Sequence, residues 1–122
     1  MEGLVAADVL IPAGMDLLSF DFSGCGNSEG QWVTLGWKET DDLRAVLQYL
    51  KDQGRTSKVA LWGRSMGAAT ILLFDYTNCP MPIACIVCDS AFDDFEGVAE
   101  DMCGKMGLPK ELLTAMFPMV EQ

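Results

Sequence analysis

Ser65 is the residue whose neighbours best equip it for chemistry. It is the centre of Gly63-Arg64-Ser65-Met66-Gly67, a G-x-S-x-G pattern. The apolar run Val59-Ala60-Leu61-Trp62 precedes it, and Ala68-Ala69-Thr70-Ile71-Leu72-Leu73-Phe74 follows. That order reads as strand, sharp turn, helix, the context that makes the pattern a candidate for a nucleophilic serine. Such a turn drives its central residue into strained backbone, and glycines two positions away on either side avoid a collision. The hydroxyl is lifted out of the sheet. The Met66 N–H, near the start of a helix, is placed to donate to a developing oxyanion. The alternative is a structural turn in which Ser65 caps the helix. The chain contains no histidine, so the usual base for a serine is missing. Lys58 and Lys105 are basic residues that could replace it, but nothing in their spacing ties them to Ser65.

The elements that must position this turn follow from periodicity. Residues 4–11 read as the end of a helix stopped by Pro12 and Gly14. Met15 to Phe22 is apolar and extended, a predicted strand, and the turn-rich Ser23–Gly30 follows it. Glu39 to Lys51 is the clearest helix, with Leu43, Val46, Leu47 and Leu50 on one stripe. Acidic residues at its start and Lys51 with Gly54 at its end suit the helix dipole and cap. A strand at 58–62, a helix to about Tyr76 and a strand at Ile83–Cys88 complete the middle. Helices carrying Phe95, Val98 and Met102, then Leu112, Leu113 and Met116, are expected beyond Asp93. Alternating helices and near-continuous apolar strands predict an α/β fold, three layers with a parallel sheet.

Composition narrows the function classes. With 122 residues, half of them apolar, the chain is a single domain at most. Its net charge of −10, from 18 acidic and 8 basic residues, argues against nucleic acid or an anionic membrane as partner. No apolar run approaches the roughly 18 residues of a membrane span. The N-terminal residues do not read as a signal peptide, which points to a cytoplasmic setting. Five cysteines, Cys25, Cys79, Cys85, Cys88 and Cys103, are expected to be free, buried thiols. Cys85 and Cys88 spell C-x-x-C, but alternation along a strand sends them to opposite faces, and no histidine or second pair completes a metal site. The loop Ser23–Gly30 fails as a dinucleotide fingerprint, because Glu29 stands where a glycine is required. No cofactor or metal is expected.

Phe20-Asp21-Phe22-Ser23-Gly24-Cys25-Gly26-Asn27-Ser28-Glu29-Gly30 resembles the D-x-x-G-x-G-x-S-x-G loop of α/β-hydrolases. Gly36-Trp37-Lys38-Glu39-Thr40-Asp41-Asp42-Leu43 is similar to their next helix start, and Asp89-Ser90-Ala91-Phe92 to the end of their sixth strand. The resemblance covers about residues 10–95 and is closest to the peptidase-S33-like and acyl-thioesterase-like branch. It implies that Ser65 is the nucleophile of an acyl transfer on an ester, thioester or amide, with the Met66 N–H as one oxyanion donor. Asp89 sits where some relatives place the catalytic acid; hydrogen bonding to its own turn is the other reading.

The family's histidine, its usual acid and the loop with the second oxyanion donor have no counterpart in the chain. The resemblance therefore implies a partial hydrolase domain over 1–122, with 10–95 as core and 96–122 as the start of a helical cap region. The isolated chain is expected to be inactive or nearly so. A non-catalytic binding or interaction protein is the alternative. The strand between the predicted 15–22 and 58–62 strands is also missing, which leaves apolar edges open to self-association. A small-molecule or acylated substrate is the implied partner of a longer parent. Met102, Met106, Met116, Met119, Phe95 and Phe117 form either a helical core face or part of a lipid-like pocket.

Overall fold

The computed structural model describes residues 2–92 together with Gly97, Glu100, Gly104, Lys105 and Gly107. The expected helices of the cap region, with their methionines and phenylalanines, lie outside the described residues. The chain divides into two compact units, 1–33 and 34–122.

In the first unit, helix α1 spans Glu2–Leu10. Its carbonyls are closed off by the amides of Ile11, bonded to Ala7, and of Met15, bonded to Leu10. The segment 15–22, a predicted strand, is not one in the structure. A strand exists only by pairing, and the sheet formed by the described residues contains two other segments. Leu18 and Phe20 are accordingly exposed. The loop that follows is organised around Asp21, whose carboxylate accepts from the Asn27 amide at 3.1 Å. The Asp21 carbonyl accepts from the Ser28 hydroxyl at 2.8 Å.

In the second unit, α2 (Glu39–Gln53) carries acidic residues in its first turn and ends at Gly54 in the left-handed conformation. Strand β1 (Val59–Arg64) leads into α3 (Met66–Leu73), and β2 (Ile83–Asp89) pairs with β1 in parallel. Leu61 stands beside Ile86, Trp62 beside Val87 and Arg64 beside Asp89. Leu43 and Leu47 of α2, Leu61 of β1, Ile71 of α3 and Phe74 form the core, with Val59, Cys79 and Ile83 against it. Helix α3 stops earlier than Tyr76 because Asp75 turns its side chain to the Thr77 amide, 2.9 Å away, and starts a short 3-10 turn over Tyr76–Asn78. Arg44 bolts this turn to α2. Its guanidinium lies 4.8 Å from the centre of the Phe74 ring and donates to the Asn78 carbonyl at 2.6 Å.

The α/β class with a parallel sheet is what forms. Leu61 and Gly63 are buried, whereas Ala60, Trp62 and Arg64 on the other face of β1 are exposed. All of β2 beyond Ile83 is exposed as well. That corrects the expectation of buried thiols: Cys85 and Cys88 are exposed, and Cys25 and Cys79 are half-buried. All four are free. The two C-x-x-C thiols do point apart. Cys88 Sγ lies 3.9 Å from the Ala68 carbonyl of α3, while Cys85 shares the opposite face with Ala60.

Two contacts fix α3. The first is with β1. A Cβ on Gly63 would fall on the Gly67 carbonyl group and within 2.7 Å of the Ala68 nitrogen. A Cβ on Gly67 would meet nothing within 4 Å. The collision expected at both glycines therefore exists at Gly63 alone. The second contact is with the loop before α2. Gly36 has φ of 117°, and a Cβ there would stand 3.1 Å from the Thr70 nitrogen and 3.2 Å from the Ala69 carbonyl carbon.

That loop is held by Glu39, a carboxylate only 2% exposed. It accepts from the Thr34 amide at 2.7 Å, the Thr34 hydroxyl at 2.7 Å and the Gly36 amide at 2.8 Å. Burial works to raise its pKa. The bonds from Thr34, from its own amide and from Gly36 outweigh burial and hold the carboxyl below its ordinary 4.5.

Gly63→Ala is expected to lower stability by several kcal/mol through backbone displacement, on the order of 3. Gly67→Ala should be neutral or stabilising by up to about 1 kcal/mol, since alanine is the better helix former. Urea unfolding of the two variants measures the contrast. Glu39→Gln should cost about 1–3 kcal/mol at neutral pH. Because the folded carboxyl titrates below 4.5, the wild-type advantage over Glu39→Gln is complete above that pH and shrinks as pH falls below it. A difference that grows on acidification would contradict this assignment.

Candidate active site

Ser65 stands between the end of β1 and the first residue of α3, with φ of 51° and ψ of −117°. This is a strained conformation for a residue bearing a Cβ. Two backbone bonds hold it there. Its amide donates to the Asp89 carbonyl at 2.9 Å, and its carbonyl accepts from the Ala69 amide at 3.0 Å. The first bond carries the parallel ladder one step past Arg64 and Asp89. The second is the first turn of α3. Ser65 is thus fixed by the sheet on one side and the helix on the other.

The side chain is left outside both. Ser65 is exposed, and its hydroxyl makes no capping bond to α3. Among the described residues it has no hydrogen-bond partner. The geometry is that of a serine presented to solvent at the carboxyl end of a strand, not of a cap. Met66 is the first helical residue. Its N–H has no carbonyl one turn earlier in the helix and lies at the positive end of the dipole.

Asp89 ends β2 directly beside Arg64. Its Oδ1 accepts from the Ser90 hydroxyl at 2.8 Å, and its Oδ2 lies 3.6 Å from Arg64 Nε. Both charged side chains are more than half exposed, so the pair contributes little to stability, at most about 1 kcal/mol. Asp89 reaches the Ser65 amide through its backbone, while its carboxylate serves the following turn and Arg64. Lys58 precedes β1 and is separated from Ser65 by the six residues of the strand, about 20 Å. Lys105 is exposed.

An open groove of about 580 Å³, lined by Asp41, Arg44, Gln48, Lys51 and Asn78 among others, runs along α2 and includes none of Ser65, Met66 and Asp89. Among the described residues no group of three or more Cys, Asp or Glu could hold a metal ion, and no helix is long and apolar enough to cross a membrane.

The residues sequence reasoning missed are Glu39, Gly36 and Thr70. Glu39 reads from sequence as one more acid in a helix's first turn. The signal that could have separated it is the glycine three residues earlier, which frees an amide for its carboxylate. Thr70 is fully buried, and its hydroxyl donates to the Met66 carbonyl at 2.8 Å. It therefore ties the turn that Gly36 touches to the turn that presents Ser65.

Residues 4–112 match the family described as alpha/beta hydrolase fold. The chain is also similar to YqkD, an uncharacterized protein of Bacillus subtilis (strain 168), with 29% identity over 97 residues. That alignment takes in 79% of this chain and 32% of YqkD. The chain spans about a third of the length of that curated relative. No solved structure matches it. The strained serine between a parallel strand and a helix, in a sequence matched along most of its length, has one explanation: the chain belongs to the α/β-hydrolase family.

Proposed function

We propose that the chain is the nucleophile-bearing part of a serine hydrolase. Ser65 Oγ would attack the acyl carbon of an ester, thioester or amide, forming an acyl-enzyme and expelling the alcohol, thiol or amine. The Met66 N–H would donate to the oxyanion. The single observation that carries this reading is the exposed, uncapped Ser65 hydroxyl on a backbone strained to φ of 51°. A serine with only a structural task has no need of that strain. Peptidase-S33-like and acyl-thioesterase-like enzymes are the branch its motifs resemble. Asp89 remains the acid candidate within the chain, and it would have to leave Ser90 and Arg64 to serve. A histidine, the usual base for such a serine, is not among these 122 residues. Without it the serine loses several orders of magnitude in reactivity.

A second reading, action by association rather than catalysis, is favoured by the exposed apolar side chains of the sheet. Trp62 is 57% exposed and its neighbour in the ladder, Val87, 50%. Apolar side chains side by side on an open two-stranded sheet are a surface for another chain.

The purified chain should show no Ser65-dependent labelling by a fluorophosphonate probe. Imidazole at tens of millimolar, supplying the missing base, should raise labelling at Ser65 and leave Ser65→Ala unlabelled. Labelling without imidazole would contradict the need for an outside base, and none with it would remove the nucleophile reading. Sedimentation separates the second reading: self-association abolished by Val87→Glu supports it, and a monomer at high concentration counts against it.

A further inference from the structure

The geometry points to Glu39 as a positioning residue for the serine turn, acting through Gly36 and the backbone of α3. The proposal rests on the reading of Ser65 as the presented nucleophile. Glu39 lies on another element, and its carboxylate spends itself on the loop 34–36 rather than on solvent or a cation. It takes three donors there, the amide and hydroxyl of Thr34 and the amide of Gly36. They hold Leu35 and Gly36 at φ of 55° and 117°. An extended loop would not bring these amides to one point.

The consequence falls on α3. Gly36 faces the Ala69–Thr70 peptide so closely that a Cβ would press on it. Ala69 is the residue whose amide closes on the Ser65 carbonyl, and Thr70 the one whose hydroxyl closes on the Met66 carbonyl. On the sheet side the same helix is stopped by Gly63. The first turn of α3 is therefore clamped between two glycine backbones. Gly63 sets its distance from the strand, and Gly36, held by Glu39, closes the other side. Releasing Glu39 leaves the loop without its acceptor and lets the Met66 N–H and the position-65 side chain shift relative to one another.

A thiol at position 65 reads this without any hydrolysis. In Ser65→Cys, iodoacetamide alkylates the thiolate with loss of iodide, and the site is followed by peptide mass spectrometry against pH. A thiol held at a helix N-terminus titrates below the ordinary value of about 8.5. Adding Glu39→Gln should raise the midpoint by about half a unit, roughly a threefold loss of rate at neutral pH. Removing a negative charge by itself would lower the midpoint, so the sign separates positioning from electrostatics. Thr34→Val, which deletes one of the three bonds, should move it the same way by less, and decides the matter if the glutamine variant does not fold. An unchanged or lowered midpoint in a variant with wild-type circular dichroism overturns the proposal. The readout is independent of Ser65 chemistry, so the imidazole experiment can fail while this one succeeds, and the reverse.

Discussion

The approach of β1 to α3 at Gly63 is the constraint on which the second unit depends. The strand and the helix are joined by one residue, Ser65, and the chain must reverse within it. It can do so only because Gly63, two residues before Ser65, has no side chain to keep the Gly67 peptide away. The amide of Ser65 then continues the parallel ladder to Asp89, and its carbonyl starts the helix. The strain at Ser65 is the geometric result of satisfying both, and the surrounding bonds maintain it.

The remaining packing supports that reversal from behind. Ile71 and Phe74 of the helix side meet Leu43 and Leu47 of α2 over Leu61. Arg44 locks the chain where it leaves α3, and Glu39 locks the loop that approaches its first turn. A buried carboxylate is costly unless its lone pairs are filled. Glu39 is filled by three donors from a three-residue loop, so the cost of burial is converted into one fixed loop conformation. The polar interactions of this unit thus specify where α3 sits, and apolar burial supplies the stability.

Elements whose signal is local were legible in the sequence. The stripe of Leu43, Val46, Leu47 and Leu50 gives α2, and the apolar runs give β1 and β2 to within two residues. The serine turn is legible because its strand, glycines and helix are contiguous. Properties that depend on pairing and covering by other segments were not legible. Among the described residues the segment 15–22 has a strand's composition but pairs with no strand, and Cys85 and Cys88 have a core strand's composition but are exposed. Equally hidden was the unequal role of Gly63 and Gly67, which share one motif yet differ in what a Cβ would meet. Glu39 was hidden because its partners are backbone amides, which carry no residue identity.

The strand, the helix and the loop held by Glu39 keep Ser65 in its strained conformation with no histidine among these 122 residues. Backbone NMR of Ser65 in the chain at neutral pH tests this most directly. Scalar and residual dipolar couplings should give a positive φ, and the Ser65 amide should be protected from exchange by its bond to the Asp89 carbonyl. An extended or right-handed helical Ser65 with a rapidly exchanging amide would contradict it.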